Sequence, residues 1–138
     1  MSATGLCRTA LELLGERREK SELRKVKFED LTSKIVAKAA ESGDKIAQEA
    51  FDETARMLAL SIVNAVAFSS PEAIFLFGGL AQAGDLIFSP TQKYIDEFIQ
   101  VVFKDTVKLL PSQIKESKAA VLGASALVWN ELSRRKTI

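Results

Sequence analysis

The stretch that most constrains this chain is AIFLF, Ala73 to Phe77, followed at once by Gly78-Gly79 and the small-residue segment LAQAG. So short an apolar run, framed by Ser70-Pro71 before it and paired glycines after it, predicts a strand covered on both faces. A second run, TVKLL over 106–110, alternates well enough for another strand and is closed by Pro111. Between them, Thr91 to Lys104 has helical periodicity and is entered through Ser89-Pro90. A strand, a crossover helix and a second strand make a βαβ unit, which is normally parallel, so the fold class is α/β.

Helices dominate the rest. Thr4 can cap a first helix with Leu6, Ala10, Leu11 and Leu14 on one face and Gly15 near its end. The charged residues 16–26 read as loop or frayed helix. FEDLTSKIVAKAAESGD reads as a second helix, with Leu31, Ile35, Val36 and Ala39 at helical spacing and Gly43 as its stop. Asp44 can cap a third, longest helix to about Phe68, whose apolar stripe broadens toward its end, implying burial there on more than one side. The last helix, from about Ser117 to Leu132, places Ala119, Ala120, Gly123, Ala124 and Ala126 close together. Small residues suit close backbone approach to a neighbour or ligand, and tight packing of the helix on the sheet is the plainer reading. The order ααα–β–α–β–α leaves a thin sheet, so either more strands lie within apparent loops or flanking strands are missing from this chain.

Bulk properties exclude several classes of function. The chain has 138 residues and formal net charge +1, so it exerts no whole-chain pull on nucleic acid or an anionic membrane. Its basic ends fit solvated helix ends better than a nucleic-acid patch, since Glu16, Glu19 and Glu22 interleave the first of them. It has no histidine, which removes Ser-His-Asp and Cys-His catalysis and the commonest zinc ligand. The single Cys7 lies among apolar residues and reads as a structural thiol in a reducing compartment. No stretch has the length of a membrane span and no signal peptide is evident, so a cytoplasmic location is expected.

The glycine loop can be tested against phosphate-binding motifs. Gly79-Leu80-Ala81-Gln82-Ala83-Gly84 has the glycine spacing of a Walker A loop, but Asp85 stands where its lysine must be and would repel phosphate. As a dinucleotide fingerprint the same residues put Ala81 at the middle glycine, where backbone must approach a pyrophosphate. A third pattern fits better: a buried strand ending in paired glycines, whose missing Cβ atoms let a nucleotide lie against backbone N–H groups. Gly78-Gly79 match it, although a ligand-free turn at a strand end would read the same way.

The longer string SPEAIFLFGGLAQAGDLIFSPTQKYIDEF, followed by KAAVLGASALVWNEL, resembles the C-terminal half of the ROK (repressor, open reading frame, kinase) family. SATGL and SGDKIAQEAFDE are similar to that family's segments in the same order, so the resemblance covers nearly all of the chain. It implies an actin-like, ribonuclease H-like ATPase fold, of which residues 1–138 would be a single domain, a helix-rich part of the C-terminal lobe. It implies ATP with Mg2+ as donor and a hexose such as glucose as acceptor in the parent protein. By the same resemblance Gly78 and Gly79 match the nucleotide-side glycine run, with Phe77 replacing its first glycine. Ala81 falls where it would line the same pocket, and Gly123-Ala124 match the "GA" of the last helix near the cleft.

The family's phosphate-binding segment, catalytic aspartate, sugar segment and cysteine cluster lie upstream of SATGL, and none is present here. The chain therefore reads as a C-terminal portion with no catalytic residue and no zinc site of its own, inactive as a kinase alone. Two alternatives stay open: the effector portion of a ROK-type sugar-responsive repressor, and a module that dimerises through Phe51, Met57, Leu58 and Val66. Strands without flanking neighbours would leave edges that favour homo-oligomers.

Overall fold

The structure is a computed structural model and describes residues 2–100, 103, 107–114 and 116–135. Helix α1 (Ala3–Glu16) is capped by Ser2, whose Oγ accepts the Gly5 N–H at 3.1 Å. Thr4, expected as the cap, lies within the first turn. Leu6, Ala10 and Leu13 are buried, and Cys7 and Leu14 flank them in the same core. Burial pushes the Cys7 thiol pKa up, as befits a structural cysteine.

The charged segment after α1 is loop with two single 3₁₀ turns, Glu22–Lys25 and Phe28–Asp30. Polar anchors hold it. The Arg24 guanidinium donates to the carbonyls of Leu14 and Arg17 at the end of α1 and of Glu19 in the loop beyond it. Arg17 pairs with Glu49, and Leu23 tucks into the core. Helix α2 (Ser33–Glu41) starts later than its apolar pattern suggests, because Thr32 supplies the cap. Gly43, with φ +87°, then turns the chain into α3 (Lys45–Ser69), where Asp44 is the cap as expected.

α3 is the central element. It packs most extensively on α4 (Asp85–Phe98), then on α1 and α2. The Tyr94 hydroxyl donates to Asp52 at 2.7 Å, which adds a polar tie between α4 and α3. The C-terminal part of α3 is not buried all round: Ile62 and Val66 face inward, whereas Phe68 is 94% exposed. The face proposed for dimerisation is likewise absent, since Phe51 and Val66 belong to the core and Met57 alone of the four is strongly exposed.

Strand β1 (Ala73–Leu76) pairs in parallel with β2 (Lys108–Pro111), in register Ala73 with Lys108 and Phe75 with Leu110. Among the described residues this is a two-stranded sheet. Ile74, Leu76 and Leu109 pack toward the buried Ala59, Ile62, Val66 and Ile95 of the two long helices. The opposite face is open, with Phe75 63% exposed. The expectation of a strand covered on both faces is thus corrected to cover on one.

α4 begins at Asp85, earlier than expected, and contains Pro90 rather than following it. Gly84 ends the preceding loop with φ +56° and ψ −130°, and the Asp85 carboxylate complements the positive helix end, so the helix starts there. Proline inside it forfeits one hydrogen bond to the preceding turn. The helix ends at Phe98, where Ile99 turns extended at φ −70° and ψ 136°, so the expected run to Lys104 is corrected. Helix α5 (Glu116–Arg135) forms as expected, yet its described side chains from Val121 to Arg134 are all exposed. These described side chains do not pack on the sheet, and a Cβ at Gly123 would meet nothing within 4 Å.

Candidate functional site

Parallel pairing puts the C-terminal ends of β1 and β2 side by side, the place where open α/β sheets bind ligands. The Ser112 N–H donates to the Leu76 carbonyl at 2.9 Å and so continues the pairing past Pro111. The chain leaving β1 there is the glycine loop. Gly78 takes φ +102°, a conformation that side chains rarely adopt, so glycine is required at this position by the turn itself. The loop then winds through successive bonds, Ala81 N–H to Gly78 O at 3.1 Å and Ala83 N–H to Leu80 O at 3.1 Å, in a 3₁₀ turn over Ala81–Ala83.

Gly79 is different. Its φ is not in the left-handed region, and a Cβ built on it meets no atom within 4 Å. Neither the turn nor the packing of the described chain calls for glycine at Gly79.

Two hollows flank the loop. One, of about 240 Å³, lies between Gly79 and Leu80 and the helices, with Ala37 and Lys34 of α2 and the buried Phe51 of α3 in its walls. The other, of about 200 Å³, lies over the strand ends, between Gly78, Ala81 and Ser112, with Phe77 and Ile114 at its edges. The three residues expected to share one pocket therefore divide: Gly79 faces the first hollow, while Gly78 and Ala81 face the second. No described residue of α5 lines either hollow, so the Gly123-Ala124 pair stands apart from the loop in this structure.

The α2 residues of the first hollow escape sequence reading. Lys34, Ala37 and Glu41 follow i, i+3, i+7 spacing beside the buried Val36 and Ala40, a signal of one helix strip, but nothing local says that the strip meets a loop some forty residues on. Among the described residues no three Asp, Glu, Cys or His side chains gather as metal ligands.

Comparison with known proteins decides the family. Residues 2–131 match the ROK family. The chain belongs to the ROK family.

Its curated relatives include both kinases and regulators. It is 34% identical over 98 residues to a glucokinase of Halalkalibacterium halodurans, covering 70% of this chain and 30% of that protein. A glucokinase of Thermotoga maritima is 27% identical over 100 residues, 72% of this chain and 31% of the relative. The N-acetylglucosamine repressor of Escherichia coli O157:H7 is 27% identical over 104 residues, 75% of this chain and 25% of the repressor. The chain thus spans less than a third of the length of these relatives. Among solved structures, a ROK family glucokinase from Streptomyces griseus in complex with glucose and AMPPNP superposes with a TM-score of 0.78 at 24% identity, covering 91% of this chain and 42% of that one. A ROK family transcriptional regulator superposes with a TM-score of 0.72 at 22% identity, covering 83% and 28%. These likenesses establish the fold: the ROK chain described here is a helix-rich α/β unit that recurs in sugar kinases and regulators alike. Among the described residues no helix is long and apolar enough to cross a membrane.

Proposed function

We propose that this chain is the nucleotide-binding portion of an ATP-dependent hexose kinase of the ROK family, and that Gly78, Gly79 and Ala81 form its contact with the nucleotide. The observation that carries this reading is Gly79, a glycine that neither the backbone conformation nor the packing of the described chain requires, exposed between two hollows at the ends of parallel strands. A ligand lying against the loop gives it a reason, because backbone N–H groups can then reach phosphate or ribose without an intervening Cβ.

Transfer of a γ-phosphoryl group to a sugar hydroxyl also needs a base at that hydroxyl and clamps on the phosphates. The loop residues supply neither base nor sugar contact. In this reading the chain holds and orients the donor, and the remaining machinery comes from residues outside this sequence. The kinase relatives with their glucose- and AMPPNP-bound structural counterpart support the substrate class.

A second reading, the effector portion of a sugar-responsive repressor, is favoured by the regulator relatives. The glycine pair separates the two, because a repressor has no need to keep a nucleotide loop open. The test is ATP-dependent glucose phosphorylation by the full-length gene product, with Gly79→Val beside it. The kinase reading predicts activity in the native protein that Gly79→Val lowers chiefly through nucleotide KM. No phosphorylation of any hexose, with sugar still raising the melting temperature, supports the repressor instead.

A further inference from the structure

From its place in the fold we infer that Ser21 is a site of phosphorylation by a serine kinase that reads basic sequence, and that the added phosphate releases the charged loop over 17–32 from α3. The inference is independent of the nucleotide reading of the glycine loop.

Two features mark this hydroxyl as a substrate. Residues 17–20 are exposed and outside any helix, and Ser21 is half-buried in extended backbone, φ −147° and ψ 138°. Arg17, Arg18 and Lys20 come just before it, interrupted only by Glu19, a basic run that an acidic substrate groove can read on an extended segment. Other described hydroxyls fit such a groove less well. Those of Ser61 and Ser69 sit on α3 and donate back to the carbonyls of Met57 and Ala65. Thr32, although extended, closely follows the acidic Glu29 and Asp30.

A third feature, the partner of the hydroxyl, gives the modification its effect. The two oxygens of Asp44 divide their work. Oδ1 accepts the Ala47 N–H at 3.1 Å and caps α3, whereas Oδ2 accepts the Ser21 hydroxyl and the Glu22 N–H, each at 2.7 Å. Phosphoryl transfer from ATP forms the Ser21 Oγ–P bond, breaks the bond from γ-phosphorus to the β,γ-bridging oxygen, and releases the hydroxyl proton with ADP. The product sets roughly two negative charges against Oδ2 and has no hydroxyl proton left to donate to it. Repulsion therefore opens the Oδ2 side and leaves the cap at Oδ1 in place. The second fastening yields as well. Arg24, three residues on, holds the carbonyls of Leu14, Arg17 and Glu19, and a phosphate on Ser21 competes for its guanidinium. What comes free is apolar: Leu23, only 2% exposed, and Val26 line a hollow of about 440 Å³ together with Ile35 and Ala39 of α2.

The test treats the full-length gene product with ATP and a serine kinase selective for basic residues on the N-terminal side of its target. Phosphate is expected on Ser21, located by the mass of the peptide that carries it and absent from that peptide in Ser21→Ala. The amides of residues 20–26 should then exchange with deuterium at least about tenfold faster, while those of α3 around Ala47 keep their native rate. Ser21→Glu, which needs no kinase, is expected to loosen the same amides, and the neutral Ser21→Gln much less. No phosphate on Ser21, or native exchange over 20–26 once Ser21 carries phosphate, overturns the inference. Equal loosening by Ser21→Gln and Ser21→Glu overturns it too, since charge would then not be the cause.

Discussion

Asp44 and Ser21 lie 23 residues apart in sequence, and the Ser21 hydroxyl donates to the Asp44 carboxylate at 2.7 Å. The same carboxylate accepts the Glu22 N–H at 2.7 Å and the Ala47 N–H at 3.1 Å, so one side chain caps α3 and fastens the charged loop beside α2. Partial burial works to raise its pKa, but the hydrogen bonds from Ser21, Ala47, Glu22 and Ile46 outweigh it and the pKa is lowered.

That arrangement fixes a pH dependence. A carboxylate with a depressed folded-state pKa contributes stability that is present above its unfolded value, about 3.9, and is lost as pH falls through the lower folded value. Chemical denaturation from pH 6 down to pH 2.5 should show this loss in the native chain and a smaller one in Asp44→Asn. Asp44→Ala, which removes the cap, should cost about 1–2 kcal/mol at neutral pH. A neutral-pH loss too small to measure would show that the loop is held by other contacts.

Thr54 on α3 and Thr91 on α4 carry the opposite kind of polar group. Both are buried, and among the described residues neither hydroxyl has a hydrogen-bond partner. Replacing an unpaired buried hydroxyl by a methyl of similar shape removes a desolvation penalty, so Thr54→Val and Thr91→Val should each stabilise the chain by about 1 kcal/mol. Urea midpoints of the two variants check this, and a fall in either midpoint would reveal a partner for that hydroxyl.

Ser70 ends α3 at φ 44° and ψ 53°, the left-handed region that favours glycine. Ser70→Gly relieves this at the expense of a freer unfolded chain, for a net gain of about 0.5–1 kcal/mol. A rise in melting temperature is expected. A fall would show that the Ser70 side chain makes a contact worth more than the strain.

The exposed apolar surface predicts behaviour in solution. Phe75 on the open sheet face, Phe77, Ile114 and the α5 residues Leu127, Val128 and Trp129 all stand in contact with solvent. Unpaired strand edges and apolar patches of this kind favour association. Light scattering at micromolar concentration should show more than a monomer, with the emission of Trp129, the only tryptophan, shifting to the blue as concentration rises. A clean monomer with concentration-independent emission contradicts the expectation.

Much of this fold was legible because its signals are local. Asp44 followed by a long apolar stripe, Pro71 as a breaker, Gly43 as a stop and AIFLF before a glycine pair each specify an element from within a few residues. The features that local signals do not specify are those that depend on what lies across space. The apolar run of β1 could not say that Phe75 would stay exposed, because that depends on whether another layer covers it. The small residues of α5 read as a packing face, but a Cβ at Gly123 meets nothing within 4 Å. Helix α4 starts before Pro90 because Gly84 and Asp85 together begin a helix that tolerates proline within it. At the site, Gly78, Gly79 and Ala81 were readable as a loop, whereas their division between two hollows required the positions of α2 and Ser112.

The most direct test of the central claim is titration of this chain with ATP, beside Gly79→Val. Because a Cβ at Gly79 meets nothing within 4 Å beyond its chain neighbours and needs no unusual φ, the variant should fold and melt like the native protein. The account predicts saturable ATP binding by the native chain and at least about a tenfold loss in Gly79→Val. Equal ATP affinity in a folded Gly79→Val would mean that the nucleotide, if bound, does not lie on the glycine loop, and no binding by the native chain would leave the loop a structural turn.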